Sequence, residues 1–344
     1  MSGSGSPRAV RWAVAAAALM GAVACGAGAE EGGGDSNLPT RLAGPYKALP
    51  EDPRTPIAEP KVLEDEDGDW AFYGPSAFSP AEGEYTVFFT ADNGSRAEIR
   101  RADGVDLANE PRDMAVVLEA SATTWEASRV AHPALLQPGL TTDFGLFFQG
   151  GDGEIGYASS DDGFVFTRHA DNPLVSASLP EEGARVGEPT AVWSGDTVLL
   201  YYAAQDPGAI FLASLTVDAN GAVTVEKVDP DPATPAHDPV LGPNPFAGQF
   251  DEAAVGAPTI TITNDSGRPV YDMWYSGVRA DGDLCIGFAG SYDGLLFKRF
   301  DENPVLKPGI PAEADPSVIT YEFTAVMFYT LGTGLDRAVG AATY

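Results

Sequence analysis

Five proline-containing segments recur along this chain and constrain its fold more than any other feature. Each opens a run of apolar and β-branched residues, and the run that follows is rich in aromatic residues. Successive prolines are 58, 56, 69 and 58 residues apart, in the segments YGPSAF (Pro75), AHPALL (Pro133), GEPTAV (Pro189), GAPTIT (Pro258) and ADPSVI (Pro316). A repeat of this length predicts structural units that bury their faces against one another.

The best-marked unit runs from Phe250 to Leu306. Its four β-rich runs, APTITIT, VYDMWYSG, LCIGFAGS and LLFKRF, are separated by turn residues, a pattern that predicts a four-stranded antiparallel meander. Five such units predict an all-β fold, a five-bladed β-propeller of four-stranded antiparallel blades. A β-sandwich is the alternative, but the same features keep the same order in each unit, which favours the propeller.

The two ends of the repeat array are expected to meet. Only 28 residues follow Pro316, enough for three strands rather than four. Near the other end, Ala58 to Leu63 reads AEPKVL and resembles the segments DNPLV and ENPVL that end the second and fourth units. We therefore predict that this N-terminal segment supplies the outer strand of the last blade and closes the ring, with the propeller spanning 58–344.

Residues 1–25 resemble a bacterial lipoprotein signal peptide. Arg8 and Arg11 precede an apolar stretch from Trp12 to Ala24 that is short for a bilayer span, and Cys25 follows. We expect Cys25 to be lipidated; an ordinary signal peptide and a retained anchor are the alternatives. Residues 26–57 are rich in glycine and acidic residues and predict a flexible tether. The expected location is the cell envelope, with membrane attachment through the lipid anchor only.

The charge of the chain limits its partners. Twenty basic residues against fifty acidic ones give a net charge of −30, which repels nucleic-acid phosphates and anionic lipids. We expect a monomer without a cofactor or a metal site. The acidic segment EDEDGDW has the opening spacing of a calcium loop, but Trp70 and Ser76 stand where that loop needs glycine and glutamate. A structural calcium ion is therefore not predicted, and an irregular metal site is the alternative.

A Ser-x-Asp-Gly-x-x-Phe motif occurs in the second and fourth units. Its physical role is a hairpin turn in which Asp caps the turn, Gly takes a positive φ and Phe packs between blades. The two copies are Ser160, Asp162, Gly163 and Phe166, and Ser291, Asp293, Gly294 and Phe297.

Together with Val-x-x-Pro, the aromatic strands and Asn-Pro-Val-Leu, this motif resembles the five-bladed propellers of glycoside hydrolase families 43 and 32, the arabinanase and fructosidase type. The resemblance covers about Ala58 to Tyr344. It implies inner-strand carboxylates in a central funnel, one acting as base or nucleophile, one as general acid, and a third tuning the acid. We expect a carbohydrate-active protein that hydrolyses a neutral glycan. The alternative is a non-catalytic propeller that binds a glycan or a surface protein.

The resemblance also implies which residues face the funnel, namely those directly before the inner-strand prolines. Glu188 matches the general acid of the third blade, and Asp315 resembles the base motif, although it lies in the fifth blade. Gly74 stands in place of the first-blade Asp, and His132 in place of the second. Because a residue before proline is usually extended, we expect His132, Glu188 and Asp315 to point into one cavity. The two carboxylates are expected roughly 5–10 Å apart, with the pKa of Glu188 raised by neighbouring acids such as Glu182 or Asp315.

The segments that lead into the inner strands offer further candidates for binding substrate. They carry an acid four residues before the first inner-strand Val, and in two of them an Arg directly before that Val. Ion pairs at the blade rims are the alternative role. With His132, the expected substrate-binding residues are Trp125, Glu126, Arg129, Arg185 and Asp251.

Overall fold

The structure is a computed structural model that describes residues 47–48, 61–81, 83–105, 107, 113–121, 125–138, 143–151, 153–217, 223–306, 313–321 and 324–343. Cys25, the predicted signal peptide and most of the predicted tether lie outside these residues. Among the residues described, no helix has the length and apolar character needed to cross a membrane.

The described residues form 21 β-strands, which are arranged in five antiparallel sheets. Blade one contains β3 (Ala71–Ala81), β4 (Glu84–Asp92), β5 (Ala97–Val105) and β6 (Asp113–Leu118). Blade two contains β7 (Val130–Leu136), β8 (Phe144–Gly150), β9 (Ile155–Ser160) and β10 (Thr167–Arg168). Blade three contains β11 (Val186–Ser194), β12 (Thr197–Ala204), β13 (Ala209–Val217) and β14 (Val223–Val228). Blade four contains β15 (Ala254–Asp265), β16 (Arg268–Val278), β17 (Leu284–Ser291) and β18 (Lys298–Arg299).

Blade five is completed from the N-terminal end, as the short final repeat predicts. It contains β19 (Glu313–Thr320), β20 (Ala325–Leu331), β21 (Ala338–Thr343) and, on the outer side of β21, β1 (Lys47–Ala48) and β2 (Lys61–Leu63). Lys61 pairs with Gly340 and Leu63 with Val339. The β1 strand lies within the segment predicted as tether, and its backbone pairs with Thr343 and Ala342.

The five sheets form a ring, since each inner strand contacts the inner strands of two neighbouring blades, and β19 contacts β3. Five hydrophobic clusters fill the spaces between adjacent blades, one for each pair. The predicted all-β, five-bladed propeller is therefore confirmed, and its core is distributed around the ring because each blade buries its faces against the next.

The two Ser-x-Asp-Gly turns have the predicted construction. In the second blade, the Asp162 carboxylate accepts the N–H groups of Phe164 and Val165 at 2.8 and 3.1 Å. Gly163 has a φ of 76°, and Phe166 packs edge-on against Phe88 of blade one. The fourth-blade copy repeats these bonds, and its Phe likewise contacts the preceding blade.

Candidate functional site

Each inner strand breaks its pairing with the second strand of its blade at the residue directly before its proline. The register shifts there in all five blades, because proline has no N–H for the ladder. The expectation that these residues are extended is wrong, since their φ angles lie in the left-handed region: 58° at Gly74, 47° at His132, 50° at Glu188, 40° at Ala257 and 51° at Asp315. Gly74 and Ala257, which carry no functional group, share this conformation with the other three residues. The conformation is therefore a property of the fold and does not depend on the side chain.

These five residues and their prolines line a narrow neck of about 30 Å³ in the centre of the ring. On the side where the inner strands begin, the neck widens into a cavity of about 530 Å³ lined by His132, Glu188 and Asp315, among others. The far ends of the inner strands line a second cavity of about 560 Å³ on the opposite side. Volumes of this size suit a small ligand.

Gly74, the first-blade residue of the neck, has little room for a side chain. A Cβ at this position would lie 3.0 Å from Nδ1 of His132. The imidazole of the second blade therefore occupies space next to the first-blade backbone, and any side chain at position 74 would have to displace it.

Glu188 has a carboxyl group with few partners. Its Oε2 accepts the backbone N–H of Ala257 at 2.7 Å, and its own N–H donates to Oε1 of Gln149 at 3.2 Å. Burial raises the pKa of Glu188, His132 lowers it, the charge of Asp315 raises it and the Ala257 N–H lowers it, and the net result lies above the ordinary value. Such a carboxyl group can hold a proton at higher pH than an ordinary glutamate.

Asp315 is held by hydroxyl groups. Its Oδ2 accepts the Thr330 hydroxyl at 2.8 Å, and its N–H donates to the Ser276 hydroxyl at 2.9 Å. Thr330 itself accepts the N–H of Gly74 at 3.0 Å. The Asp315 carboxylate is thus oriented by a network that runs from blade five to blade one.

An aromatic and cationic group forms the wall beside His132. The imidazole ring of His132 meets the ring of Tyr73 edge-on, with ring centroids 5.3 Å apart. The guanidinium of Arg337, which lines the cavity, lies 3.7 Å from the Tyr73 ring centroid. The Asp92 carboxylate accepts the Tyr73 hydroxyl at 3.3 Å and pairs with Arg129. Burial, and next the charge of Asp92, raises the pKa of Tyr73 to about 12, so this phenol remains a hydrogen-bond donor.

The acids of the lead-in segments lie in buried ion pairs rather than on the cavity wall. Glu126 is bonded by Arg168 at 2.6 Å, and Asp251 by Arg299 at 2.6 Å. Both carboxylates are fully buried. Each cation comes from the outermost strand of the same blade, so these pairs hold a blade together and offer the substrate no surface.

The remaining candidates for binding substrate also lie apart from the cavity. Trp125 stacks on Phe148 with ring centroids 5.7 Å apart and covers Gly150 and Gly156, so this partly buried ring packs against the core between blades one and two. Arg185 is exposed and is not among the residues that line the cavity. Arg129 reaches the site indirectly, through Asp92.

The described residues contain no group of three or more His, Cys, Asp or Glu side chains that could hold a metal ion. In the acidic segment EDEDGDW, one oxygen of Asp65 accepts the N–H groups of Asp69 and Trp70 at 2.7 and 3.0 Å. This carboxylate therefore closes a turn of its own loop.

Sequence reasoning missed the polar residues of the second strands and Arg337. The signal for the former is the residue that follows the aromatic pair in each second strand, which is polar in four of the five blades: Thr90, Gln149, Ala203, Ser276 and Thr330. Arg337 has no comparable signal, because it lies in the connection from β20 to β21.

Comparisons with known proteins identify the fold. No family model matches the chain, and no curated protein is similar to it in sequence. A glycosyl hydrolase from Bacteroides ovatus matches with a TM-score of 0.66 at 14% identity, over 90% of this chain and 96% of that one. BT0996, in a complex with RGII, matches with a TM-score of 0.64 at 15% identity, over 88% and 93%. The catalytic domain of the Coprinopsis cinerea GH62 α-L-arabinofuranosidase matches with a TM-score of 0.61 at 11% identity, over 88% and 97%. The chain thus has the propeller fold of solved glycoside hydrolases.

Proposed function

We propose that this protein is a glycosidase-like enzyme that hydrolyses O-glycosidic bonds of a neutral glycan bound in the 530 Å³ cavity. One observation carries the proposal. Glu188 and Asp315 line the same cavity, and burial together with the charge of Asp315 raises the pKa of Glu188. A carboxyl group with a raised pKa and a second carboxyl group in one site form the kind of pair that glycoside hydrolysis uses.

The roles follow from the two environments. Glu188 donates its proton to the leaving glycosidic oxygen as the bond to the anomeric carbon breaks. Asp315 acts from the other side of the sugar, taking a proton from the attacking water or forming the covalent intermediate, depending on the separation of the carboxyl groups. His132, which lines the same cavity and contacts Tyr73, orients a sugar hydroxyl. The solved glycoside hydrolases that share the fold support this class of reaction.

The test is a screen of the purified protein against chromogenic arabinosides, xylosides and galactosides and against fructans. On a cleaved substrate, Glu188→Gln is expected to lower kcat/KM by roughly 100- to 10,000-fold, the usual contribution of a general acid. Gln keeps an oxygen that can accept the Ala257 N–H, so this variant should remain folded. Glu181→Gln, at a nearby acid that does not line the cavity, serves as the matched control and should retain activity.

The wild-type pH profile gives a second readout. Because Glu188 must be protonated to act, kcat/KM should fall as pH rises through its raised pKa. Full activity in Glu188→Gln would contradict the proposal.

A non-catalytic glycan-binding propeller is the second candidate, and the bond from the Ala257 N–H to Glu188 favours it, because it gives this carboxylate a structural role. The same screen distinguishes the two candidates. If no glycoside is cleaved but a glycan binds, and Glu188→Gln weakens that binding, the protein is a binding module.

A further inference from the structure

The backbone N–H groups of the five neck residues follow one rule with one exception. In four cases the N–H donates to a side chain on the second strand of the preceding blade. These bonds are His132 to Thr90 at 2.8 Å, Glu188 to Gln149 at 3.2 Å, Asp315 to Ser276 at 2.9 Å and Gly74 to Thr330 at 3.0 Å. A left-handed residue at the centre of a ring cannot give its N–H to its own sheet, so the neighbouring blade supplies the acceptor.

Ala257 is the exception. In the preceding blade, the residue at the corresponding position of the second strand is Ala203, which pairs with Gly187. Each of the four acceptors likewise pairs with the residue two positions before the inner-strand proline of its own blade. Alanine has no acceptor on its side chain. The Ala257 N–H donates to Oε2 of Glu188 instead, at 2.7 Å.

Glycine at position 256 makes room for this bond. A Cβ there would lie 2.7 Å from Oε2 of Glu188. The same arrangement holds one blade earlier, where a Cβ on Gly187 would lie 2.0 Å from Oε1 of Gln149. Where the acceptor is the shorter Thr or Ser, the equivalent residue carries a Cβ: Tyr73, Ala131 and Ala314.

We propose that Ala203 and Gly256 are positioning residues for Glu188. By offering neither a competing acceptor nor a Cβ, they leave the Ala257 N–H to the carboxyl group. The bond fixes Oε2, and Oε1, which accepts no hydrogen bond from the described residues, remains for the proton transfer. The catalytic part of this inference rests on the proposed function. The other part, that Glu188 supplies the acceptor that Ala203 lacks, does not.

Site-resolved hydrogen exchange of the Ala257 amide in the full chain tests directly whether Glu188 is the acceptor of this N–H. In Glu188→Ala this amide loses its acceptor and should exchange roughly tenfold faster, the equivalent of one ordinary hydrogen bond. Adding Ala203→Ser places a hydroxyl where blade four has Ser276, and protection should return. Ala213→Ser, at a buried alanine of β13 that does not line the cavity, is the matched control and should restore nothing.

An unchanged exchange rate in Glu188→Ala, or no recovery on adding Ala203→Ser, would overturn the inference. Both variants are compared by circular dichroism and by exchange of core amides in blades one and two, so that a global loss of structure is recognised separately.

Kinetics test the positioning role. Gly256→Ala leaves Glu188 in place but pushes its carboxyl group away from Ala257, and the backbone of Gly256 has no positive φ that would strain the variant. Gly256→Ala and Ala203→Ser should each lower kcat at least roughly tenfold with little change in KM, since the acid is displaced rather than the substrate. Unchanged kcat in both would refute positioning. If the wild type cleaves no glycoside, the proposed function fails, and the exchange measurement alone decides this inference.

Discussion

Glu182 and Glu188 stand six residues apart, yet their carboxyl groups lie in opposite electrostatic settings. Glu182 accepts the Lys227 ammonium and the Tyr202 hydroxyl, both at 2.6 Å, and two backbone N–H groups. Burial raises the pKa of Glu182, but these partners outweigh it, so its pKa lies below the ordinary value. Glu188 accepts one backbone N–H; burial and the charge of Asp315 raise its pKa and outweigh His132 and this N–H, which lower it, so its pKa lies above the ordinary value.

The difference separates structural acids from acids available for chemistry. The lead-in acids Glu126, Glu182 and Asp251 each have a cation from the outer strand of their own blade. The neck acids Glu188 and Asp315 are bonded by neutral groups. A buried carboxylate that pairs with a cation is committed to that ion pair, whereas one bonded only by neutral groups is available to contact a ligand.

The largest effect is expected from breaking a structural pair. Glu182→Ala leaves the Lys227 ammonium in a mostly buried site without its carboxylate, and should lower the free energy of unfolding by about 3–5 kcal/mol. Urea denaturation measures this, with Glu181→Ala as the neighbouring control, expected within about 0.5 kcal/mol of wild type. A loss in Glu182→Ala as small as in the control would remove the distinction between the two sets of acids.

The two lead-in arginines should differ in the same way, with a smaller effect. Arg129→Ala deprives the buried Asp92 carboxylate of a partner, although Tyr73 remains bonded to it, and should cost about 1–3 kcal/mol of stability. Arg185 is exposed, and its replacement by Ala should change stability by less than about 0.5 kcal/mol. Equal destabilisation by both variants would show that sequence position, rather than the paired acid, sets the contribution.

The smallest expected effect is a change in the stability contributed by Glu188 with pH, and it is opposite in sign to the change at Glu182. A carboxyl group with a raised folded-state pKa contributes stability that is fully present below its unfolded pKa, about 4.5, and is lost as pH rises through the folded pKa. Glu188→Gln is neutral at every pH, so it should be more stable than wild type at pH 8 and equal to it below about pH 4.5.

Glu182, with its lowered pKa, contributes stability that is present above the unfolded pKa and lost as pH falls. Urea midpoints of Glu188→Gln and wild type across this pH range measure the predicted crossover. A Gln variant less stable than wild type at pH 8 would mean that the Glu188 carboxylate is a stabilising charge, like that of Glu182.

The fold could be predicted from the sequence because its determinants are local and repeated. Prolines at the inner strands, aromatic second strands and Ser-x-Asp-Gly turns each specify a backbone conformation in the segment where they occur, and repetition reveals how the segments stack. The closing strand near Leu63 was predictable for the same reason, since it copies the segments that end other blades.

The site was predictable only in part, because it depends on contacts between residues distant in sequence. The position before each proline identifies Glu188 and Asp315 as residues of the neck. Whether an acid has a cation depends on Lys227 or Arg299, which lie 45 and 48 residues away. The left-handed backbone at the neck was missed because the general preference of pre-proline residues is for extended conformations, whereas here the strand pairing breaks at each inner-strand proline and the residue before it adopts a positive φ.

The pairing of β2 with β21 also determines the order in which the molecule can form. Lys61 and Gly340 are about 280 positions apart in the chain, so their contact cannot exist while a ribosome is still synthesising the fifth blade. Closing so long a loop has a large entropic cost before any contact offsets it. The first four blades can therefore stack in sequence, whereas the fifth exposes an open sheet edge until β2 pairs with β21. Until that pairing forms, the edge of β21 presents unpaired backbone N–H and C=O groups.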